Sequence, residues 1–278
     1  MGITLAVLIP GEAILAKAVR LGGLSQLISA WPGLLLLIGV LCYCITRSFP
    51  KLIEACQLAI WAVLMTNTLS LLIQIAGRTP RPLTDYTFAA MDARAHFSTT
   101  WIVHLVARAP AVERSLAIAY SLLLPFIIAA ILVPALNGRA EAARRYVLGI
   151  VLAAILTAAL FALWPAVGPW TTQEFAPTKE QALVAAYLIR LKSSAPVYIE
   201  MNNAGIVSFP SFHVALAILS AVALGSIRWL RAWVWVITGL ICISAITTGW
   251  HYGVDVLGGI ILAIITVLAV GRIPRVYP

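Results

Sequence analysis

Two histidines near the end of the sequence lie in polar segments that each open a long apolar run. His251 and Asp255 are four residues apart, so a helix would place them on one face, about a turn apart. A carboxylate at that distance can hold an imidazole ring in one tautomer and make it a better nucleophile. The other segment contains Ser211 and His213, and a second histidine suits general acid catalysis. Polar groups are costly at the ends of membrane helices, so this pattern indicates a functional site.

The composition is typical of a membrane protein. The chain has 278 residues, of which 62% are hydrophobic and 10% charged, and its mean hydropathy is +0.99. These values exclude a water-soluble domain and predict an all-α, polytopic membrane helix bundle with six core transmembrane helices and one or two extra N-terminal helices. The net charge is +9, but the basic residues punctuate apolar runs, which indicates membrane topology rather than nucleic-acid binding. The four cysteines lie in apolar runs, so we expect no disulfide framework and no metal site.

The apolar runs predict one integrated membrane domain with two regions. Residues 1–113 would contain N-terminal helices and a membrane-surface segment at 83–113, and residues 114–278 would form the catalytic core. The stretch at 3–20 is typical of an interfacial helix. A long polar loop is predicted at 170–207. The predicted apolar runs are 31–46, 55–77, 114–136, 145–167, 209–227, 232–249 and 253–271.

If each run crosses the membrane once, the unusual polar segments all lie on one face. That face carries ten basic and eight acidic residues, against nine basic and two acidic residues on the opposite face, so the two net charges are +2 and +7. Dense positive charge in short loops belongs in the cytoplasm. We therefore expect the histidines to face the exterior or, in a bacterial inner membrane, the periplasm.

The histidine segments also resemble a known family. Pro-Ser-Phe-His (210–213), followed about 40 residues later by His251 and Asp255, resembles the second and third motifs of the type-2 phosphatidic-acid phosphatase superfamily. The phrases GIVSFPSFHVALA and TTGWHYGVDVLGG are most similar to its branch of inositolphosphorylceramide synthases and their bacterial relatives. The resemblance implies that His251 forms a phosphohistidine, that Asp255 orients it and that His213 protonates the leaving alcohol. It also implies that Ser211 contacts phosphate oxygens, that the substrate is a membrane lipid phosphate, and that no cofactor is needed.

The sequence departs from the family pattern in the groups that would hold the phosphate. The arginine expected six residues before the nucleophile is Ala245, the usual glycine of the second motif is Phe212, and the lysine position of the first motif is Gln74. A phosphoryl group still needs cations around its oxygens. The phosphate ligands predicted in their place are, in order of preference, Arg190, Arg81, and then Arg78 and Lys192.

The leading hypothesis is an integral membrane enzyme that transfers a phosphoryl group from a lipid phosphate or diphosphate. Water as acceptor would make it a phosphatase, and an alcohol acceptor would make it a phosphotransferase. The alternatives are a lipid transporter and a non-catalytic membrane protein that keeps the same fold. Against a transporter, the apolar runs lack charged residues at mid-depth and the polar groups gather at one surface. The missing arginine at position 245 is the only support for a non-catalytic protein.

Overall fold

The structure is a computed structural model that describes residues 21–22, 31–193, 195–198 and 205–274. These parts of the chain contain eleven α-helices and a single two-residue parallel β-ladder, which confirms the predicted all-α class. The interfacial helix predicted at 3–20 lies outside the described residues.

Each predicted apolar run contains a helix, and the run at 114–136 contains parts of two. The strands are β1 (Leu21–Gly22) and β2 (Val197–Tyr198). The helices are α1 (Trp31–Thr46), α2 (Pro50–Gly77), α3 (Asp85–Arg94), α4 (Thr99–Ala107), α5 (Pro110–Ser121), α6 (Leu123–Leu136), α7 (Ala140–Leu163), α8 (Lys179–Lys192), α9 (Phe212–Leu224), α10 (Arg231–Thr247) and α11 (Gly253–Gly271).

The chain is a helical membrane protein. By length and composition, α2, α7 and α11 can each cross a membrane, and α5 with α6 can form a fourth span that bends by 41° at their junction. Helices α1, α9 and α10 are apolar but shorter. The predicted number of six core spans therefore stays a prediction.

The bundle is centred on α9, which packs against α6, α7, α10 and α11. Alanines fill much of this contact, since Ala153, Ala215, Ala217 and Ala263 are completely buried. Small side chains let neighbouring helices approach closely, and close packing is the main attraction between helices in lipid. The centre of the bundle is therefore tight and leaves the polar chemistry to its ends.

The C-terminal end of α7 and the N-terminal ends of α9 and α11 meet at one end of the bundle. The hydroxyl of Tyr252 donates to the carbonyl oxygen of Gly168, just past α7, at 3.2 Å. The backbone N–H of Ser211 donates to the carbonyl oxygen of Asp255 at 2.9 Å. We call this the histidine end, because both motif histidines lie there.

The segment predicted as a long polar loop contains a helix, α8, that the sequence pattern did not predict. A capping box begins it: the Thr178 hydroxyl accepts the Gln181 N–H at 3.2 Å, and the Gln181 side-chain oxygen accepts the Thr178 N–H at 2.8 Å. Gln181 also donates to the carbonyl oxygen of Thr248 at 3.1 Å. This bond ties the start of α8 to the loop that precedes His251.

Candidate active site

His251 is buried at the start of α11, with only 4% of its surface exposed. Its Nδ1 atom lies 3.1 Å from the carbonyl oxygen of Ser208 and 3.5 Å from Oδ2 of Asp255. A carbonyl oxygen can only accept a hydrogen bond, so Nδ1 carries the proton. The neutral imidazole therefore has its lone pair on Nε2, which is the atom that can act as a nucleophile.

The carboxylate of Asp255 is held from two sides. Its Oδ2 atom accepts the Ser208 hydroxyl at 2.6 Å and the Tyr252 N–H at 2.9 Å. Its Oδ1 atom is buried and has no hydrogen-bond partner among the described residues. Ser208 thus contacts both members of the pair, through its carbonyl oxygen and its hydroxyl. It lies just before the second motif, and no function was predicted for it from the sequence.

His213 lies in the first turn of α9, and Tyr120 of α5 fixes its ring. The two rings stack at 4.0 Å between centroids with an interplanar angle of 6°. Nε2 of His213 lies 3.2 Å from the carbonyl oxygen of Tyr120, so Nε2 carries a proton and the working proton of an acid would be on Nδ1. Tyr120 is also nearly parallel to Trp250, with 6.4 Å between the ring centroids, and Trp250 directly precedes His251 in the third motif.

Ser211 is the N-cap of α9 and is completely buried. Its hydroxyl accepts the Val214 N–H at 3.3 Å. The two motif helices touch here, since a Cβ atom on Gly259 would lie 2.4 Å from the Ser211 carbonyl oxygen. Ser211 therefore joins α9 to α11, and the phosphate contact expected of its side chain stays a prediction.

Two buried aspartates of α3 bind backbone N–H groups around the site. Asp92 accepts the N–H groups of Gly253 and Val254, the first two residues of α11, at 2.7 and 2.9 Å. Asp85 accepts the Val167 N–H at 3.0 Å and the N–H of the next residue at 2.9 Å. Burial raises the pKa of both carboxyl groups, and the backbone donors oppose this shift.

Helix α3 lies in the segment predicted only as a membrane-surface segment, and neither aspartate was predicted as a site residue. One signal was present: Asp85, Phe88 and Asp92 are spaced three and four residues apart, which places them on one face of a helix. All three are buried in the structure. A carboxylate on the same face as an aromatic core residue indicates a buried partner, and here the partners are backbone N–H groups.

The predicted phosphate ligands Arg78, Arg81, Arg190 and Lys192, which we call the basic cluster, lie on α8 and on the turn after α2. The ammonium group of Lys192 donates to the carbonyl oxygens of Thr79 and Arg81 at 2.9 and 3.0 Å, and burial lowers its pKa. Arg78 donates to the carbonyl oxygen of Ala195 at 3.1 Å. These two cations stabilise the backbone of the turn and of the segment after α8.

The other two members of the basic cluster differ in their surroundings. The guanidinium of Arg190 lies over the ring of Tyr187, 5.6 Å from its centroid. The Tyr187 hydroxyl donates to the side-chain oxygen of Gln74, so the position where the family has a lysine links α2 to α8. Arg81 is exposed, and its side chain makes no hydrogen bond or ion pair within the described parts of the chain.

A family model of the PAP2 superfamily matches residues 86–269. The match covers more than half of the chain and contains both histidine motifs, so the chain belongs to the PAP2 superfamily. Members of this superfamily are generally phosphatases and phosphotransferases. No curated protein and no solved structure matches the chain significantly. The finer resemblance to the inositolphosphorylceramide-synthase branch stays a prediction, as does the boundary between residues 113 and 114.

Proposed function

We propose that this protein is an integral membrane enzyme that moves a phosphoryl group from a lipid phosphate or diphosphate, through a phosphohistidine on His251, to water or to an alcohol. The observation that carries the proposal is the bonding of the His251 ring. Nδ1 donates to the Ser208 carbonyl oxygen beside Asp255, and this leaves the Nε2 lone pair for attack on phosphorus.

In the first step Nε2 of His251 attacks phosphorus, and the bond from phosphorus to the lipid oxygen breaks. The ring becomes positively charged, and the neighbouring carboxylate of Asp255 stabilises that charge. To act as the general acid, His213 must take up a second proton from water on Nδ1; it then gives that proton to the leaving oxygen, while its Nε2–H stays bonded to the Tyr120 carbonyl oxygen. The products are a lipid alcohol or a lipid monophosphate, and a phosphohistidine.

In the second step the acceptor attacks the phosphohistidine. The His213 ring is now neutral, and Nδ1 has a lone pair. It takes a proton from the water or alcohol oxygen as that oxygen bonds to phosphorus. The nitrogen–phosphorus bond breaks, and its electrons return to Nε2 of His251. Water yields inorganic phosphate, and an alcohol yields a new phosphate ester, so one site serves both outcomes.

Arginine and lysine side chains of the basic cluster are the proposed phosphate ligands, because the arginine usual in the third motif is replaced by Ala245. Arg81 has the strongest structural support, because it is exposed and its side chain makes no hydrogen bond or ion pair within the described parts of the chain, and Arg190 is the ligand that the sequence ranks first. Lys192 and Arg78 already donate to backbone carbonyl oxygens. Arginine also suits the role chemically, since its planar group can bind two phosphate oxygens at once.

The charge division of +7 and +2 between the two faces supports catalysis on the exterior or periplasmic side of a bacterial inner membrane. Nucleotide donors are absent there, whereas lipid-linked phosphates are present in the membrane itself. The similarity of the two histidine motifs to the synthase branch supports a lipid alcohol as one possible acceptor.

The function is tested with purified protein in lipid vesicles and a panel of lipid phosphates and diphosphates, in the presence of EDTA. We expect release of inorganic phosphate, or of a new phosphate ester when an alcohol is added. Phosphorylation of His251 should be detectable by mass spectrometry as an acid-labile group after rapid quenching at alkaline pH. His251→Ala is the matched control. Turnover that requires added metal, or that proceeds equally in the control, would contradict the proposal.

A further inference from the structure

We propose that Asp92 is a positioning residue for His251: its carboxylate fixes the first turn of α11 and so holds the nucleophile against its hydrogen-bond partners. This inference rests on the function proposed above, because it assigns a role within the same reaction. Asp92 lies on α3, which is distant in sequence from both histidine motifs.

The contact between Asp92 and α11 is bidentate and buried. One carboxylate oxygen accepts the Gly253 N–H at 2.7 Å, and the other accepts the Val254 N–H at 2.9 Å. Only 4% of the Asp92 surface is exposed. Two bonds from one rigid group fix both the position and the direction of the helix start, whereas a single bond would leave it free to pivot.

Three successive N–H groups next to His251 all end on carboxylates. Tyr252 donates to Asp255, which belongs to α11 itself, whereas Gly253 and Val254 donate to Asp92 from α3. The backbone that carries His251 is thus set by α3 as well as by its own helix. A Cβ atom on Gly253 would lie 2.7 Å from the ring of Phe97, so the two segments are in close contact here.

This arrangement has an electrostatic cost. Burial raises the pKa of Asp92, and the nearby charge of Asp255 raises it further. A serine or asparagine could cap a helix without a second buried negative charge. The bidentate geometry is what a carboxylate offers and a neutral cap does not.

Asp85, the other buried aspartate of α3, restrains Tyr252 through the tyrosine side chain. Asp85 accepts the Tyr252 hydroxyl at 3.2 Å and also binds the backbone after α7. The two aspartates therefore hold the residue after His251 by its hydroxyl and the next two residues by their N–H groups. Small displacements of catalytic groups, of about 1 Å, can cost about 100-fold in rate, so this restraint matters for the chemical step.

The test uses Asp92→Asn, which keeps the shape of the side chain but turns one acceptor into a donor that faces a backbone N–H. We expect kcat to fall roughly 10- to 100-fold with little change in KM, as for other groups that orient a catalytic residue. The loss should be equal on a lipid phosphate and on nitrophenyl phosphate, because attack is impaired rather than protonation of the leaving group. The control is Glu180→Gln, which removes an exposed carboxylate of α8 and should leave kcat unchanged.

A double-mutant cycle separates positioning from general stability. If Asp92 acts through the pair of His251 and Asp255, adding Asp92→Asn to Asp255→Asn should cost little more than Asp255→Asn alone. Thermal unfolding of each variant in detergent shows whether it is folded, so kcat refers to native protein. Losses that multiply independently, or a KM effect without a kcat effect, would overturn the proposal.

A measurement that needs no turnover keeps this inference separate from the proposed function. Diethyl pyrocarbonate modifies accessible imidazole nitrogens, and peptide mapping gives the rate at His251 alone. We expect the rate to rise severalfold in Asp92→Asn and to stay at the wild-type value in Glu180→Gln. An unchanged rate in Asp92→Asn overturns the positioning role. If the wild-type protein turns over no lipid phosphate, the proposed function fails, yet this comparison still decides the role of Asp92.

Discussion

The pair formed by His251 and Asp255 differs from the basic cluster in how firmly its side chains are held, although the proposed reaction needs both. His251 and Asp255 are buried, and Nδ1 of His251 and Oδ2 of Asp255 bond to neighbours near the starts of α9 and α11. Arg81 and Arg190 are exposed, and each carries its charge at the end of a long side chain. The groups that would make and break bonds are held in place before substrate arrives, whereas the groups that would bind the phosphate can adjust to it.

This difference has an energetic reason. A nucleophile must be aligned to within a fraction of an ångström, and buried hydrogen bonds provide that alignment. A phosphate ligand supplies mainly charge, and a long arginine or lysine side chain can supply it from several directions. We therefore expect substitutions at the histidines to affect kcat most and substitutions in the basic cluster to affect KM most.

His251→Ala should abolish turnover while the protein still folds and inserts. The alanine removes the only atom that we propose forms the bond to phosphorus, and no described neighbour offers a replacement in the same bonding arrangement. The measurement is phosphate release from the best lipid phosphate, with size-exclusion chromatography and thermal unfolding to check the fold. Wild-type turnover in this variant would disprove the mechanism and remove one side of the comparison.

His213→Ala should slow transfer from a lipid alcohol leaving group by roughly 10²- to 10⁴-fold, the usual contribution of general acid catalysis. Nitrophenyl phosphate has a leaving group that needs little protonation, so its turnover should be partly spared. The ratio of the two rates is the measurement. Equal losses on both substrates would indicate that His213, stacked on Tyr120, acts in structure or in phosphate binding instead.

The proximity of His251 to Asp255 was predictable from the sequence, because it follows from local helix geometry. His251 and Asp255 lie four residues apart at the start of an apolar run, and a helix brings such residues together whatever else the chain does. The all-α class followed from the apolar composition for a similar reason, because lipid admits few other structures. Both conclusions depend on short stretches of sequence or on averages over the whole chain.

The supports of the site were not predictable, because they depend on contacts between distant segments. Asp92 binds N–H groups about 160 residues away, and nothing in its own surroundings in the sequence indicates α11. Helix α8 lies in a polar stretch, and its burial comes from Tyr187 and Leu188 packing onto other elements. Polarity predicted a loop for this segment and so missed both the helix and its buried apolar side.

Ser208 and Ser211 form a matched pair within the second motif, since both are buried serines with different partners. Ser208→Ala should lower kcat by roughly 10-fold or more, because its hydroxyl donates to Asp255 at 2.6 Å. Ser211→Ala should mainly lower stability by about 1 kcal/mol, as for other lost N-caps. Steady-state kinetics and thermal unfolding of both variants give the comparison. A raised KM in Ser211→Ala would instead support the phosphate contact expected from the family resemblance.

The basic cluster should show smaller effects, which fall on KM. Arg81→Ala should raise KM for a lipid phosphate by about 10-fold, the order expected for one lost charge-assisted bond, and Arg81→Lys should recover part of it. Lys192→Ala should lower the thermal stability with a lesser effect on KM, because its ammonium group donates to backbone carbonyl oxygens of the turn. A loss of activity in Arg190→Ala that exceeds the loss in Arg81→Ala would support the order of preference derived from the sequence.

The orientation of the two faces of the bundle in the membrane can be tested without measuring activity. The histidine end and the short loop between α6 and α7 lie at opposite ends of the bundle, and the charge of the short loops predicts that the latter faces the cytoplasm. In a variant without the four native cysteines, Ala186→Cys on the exposed side of α8 should react with an impermeant maleimide added to intact bacterial cells. Asn137→Cys, in the loop after α6, should react only after the membrane is opened. The reverse pattern would place the exposed arginines of the basic cluster in the cytoplasm, where soluble phosphate donors could reach them. The hydrogen bonds of His251 and Asp255 would be the same in either orientation.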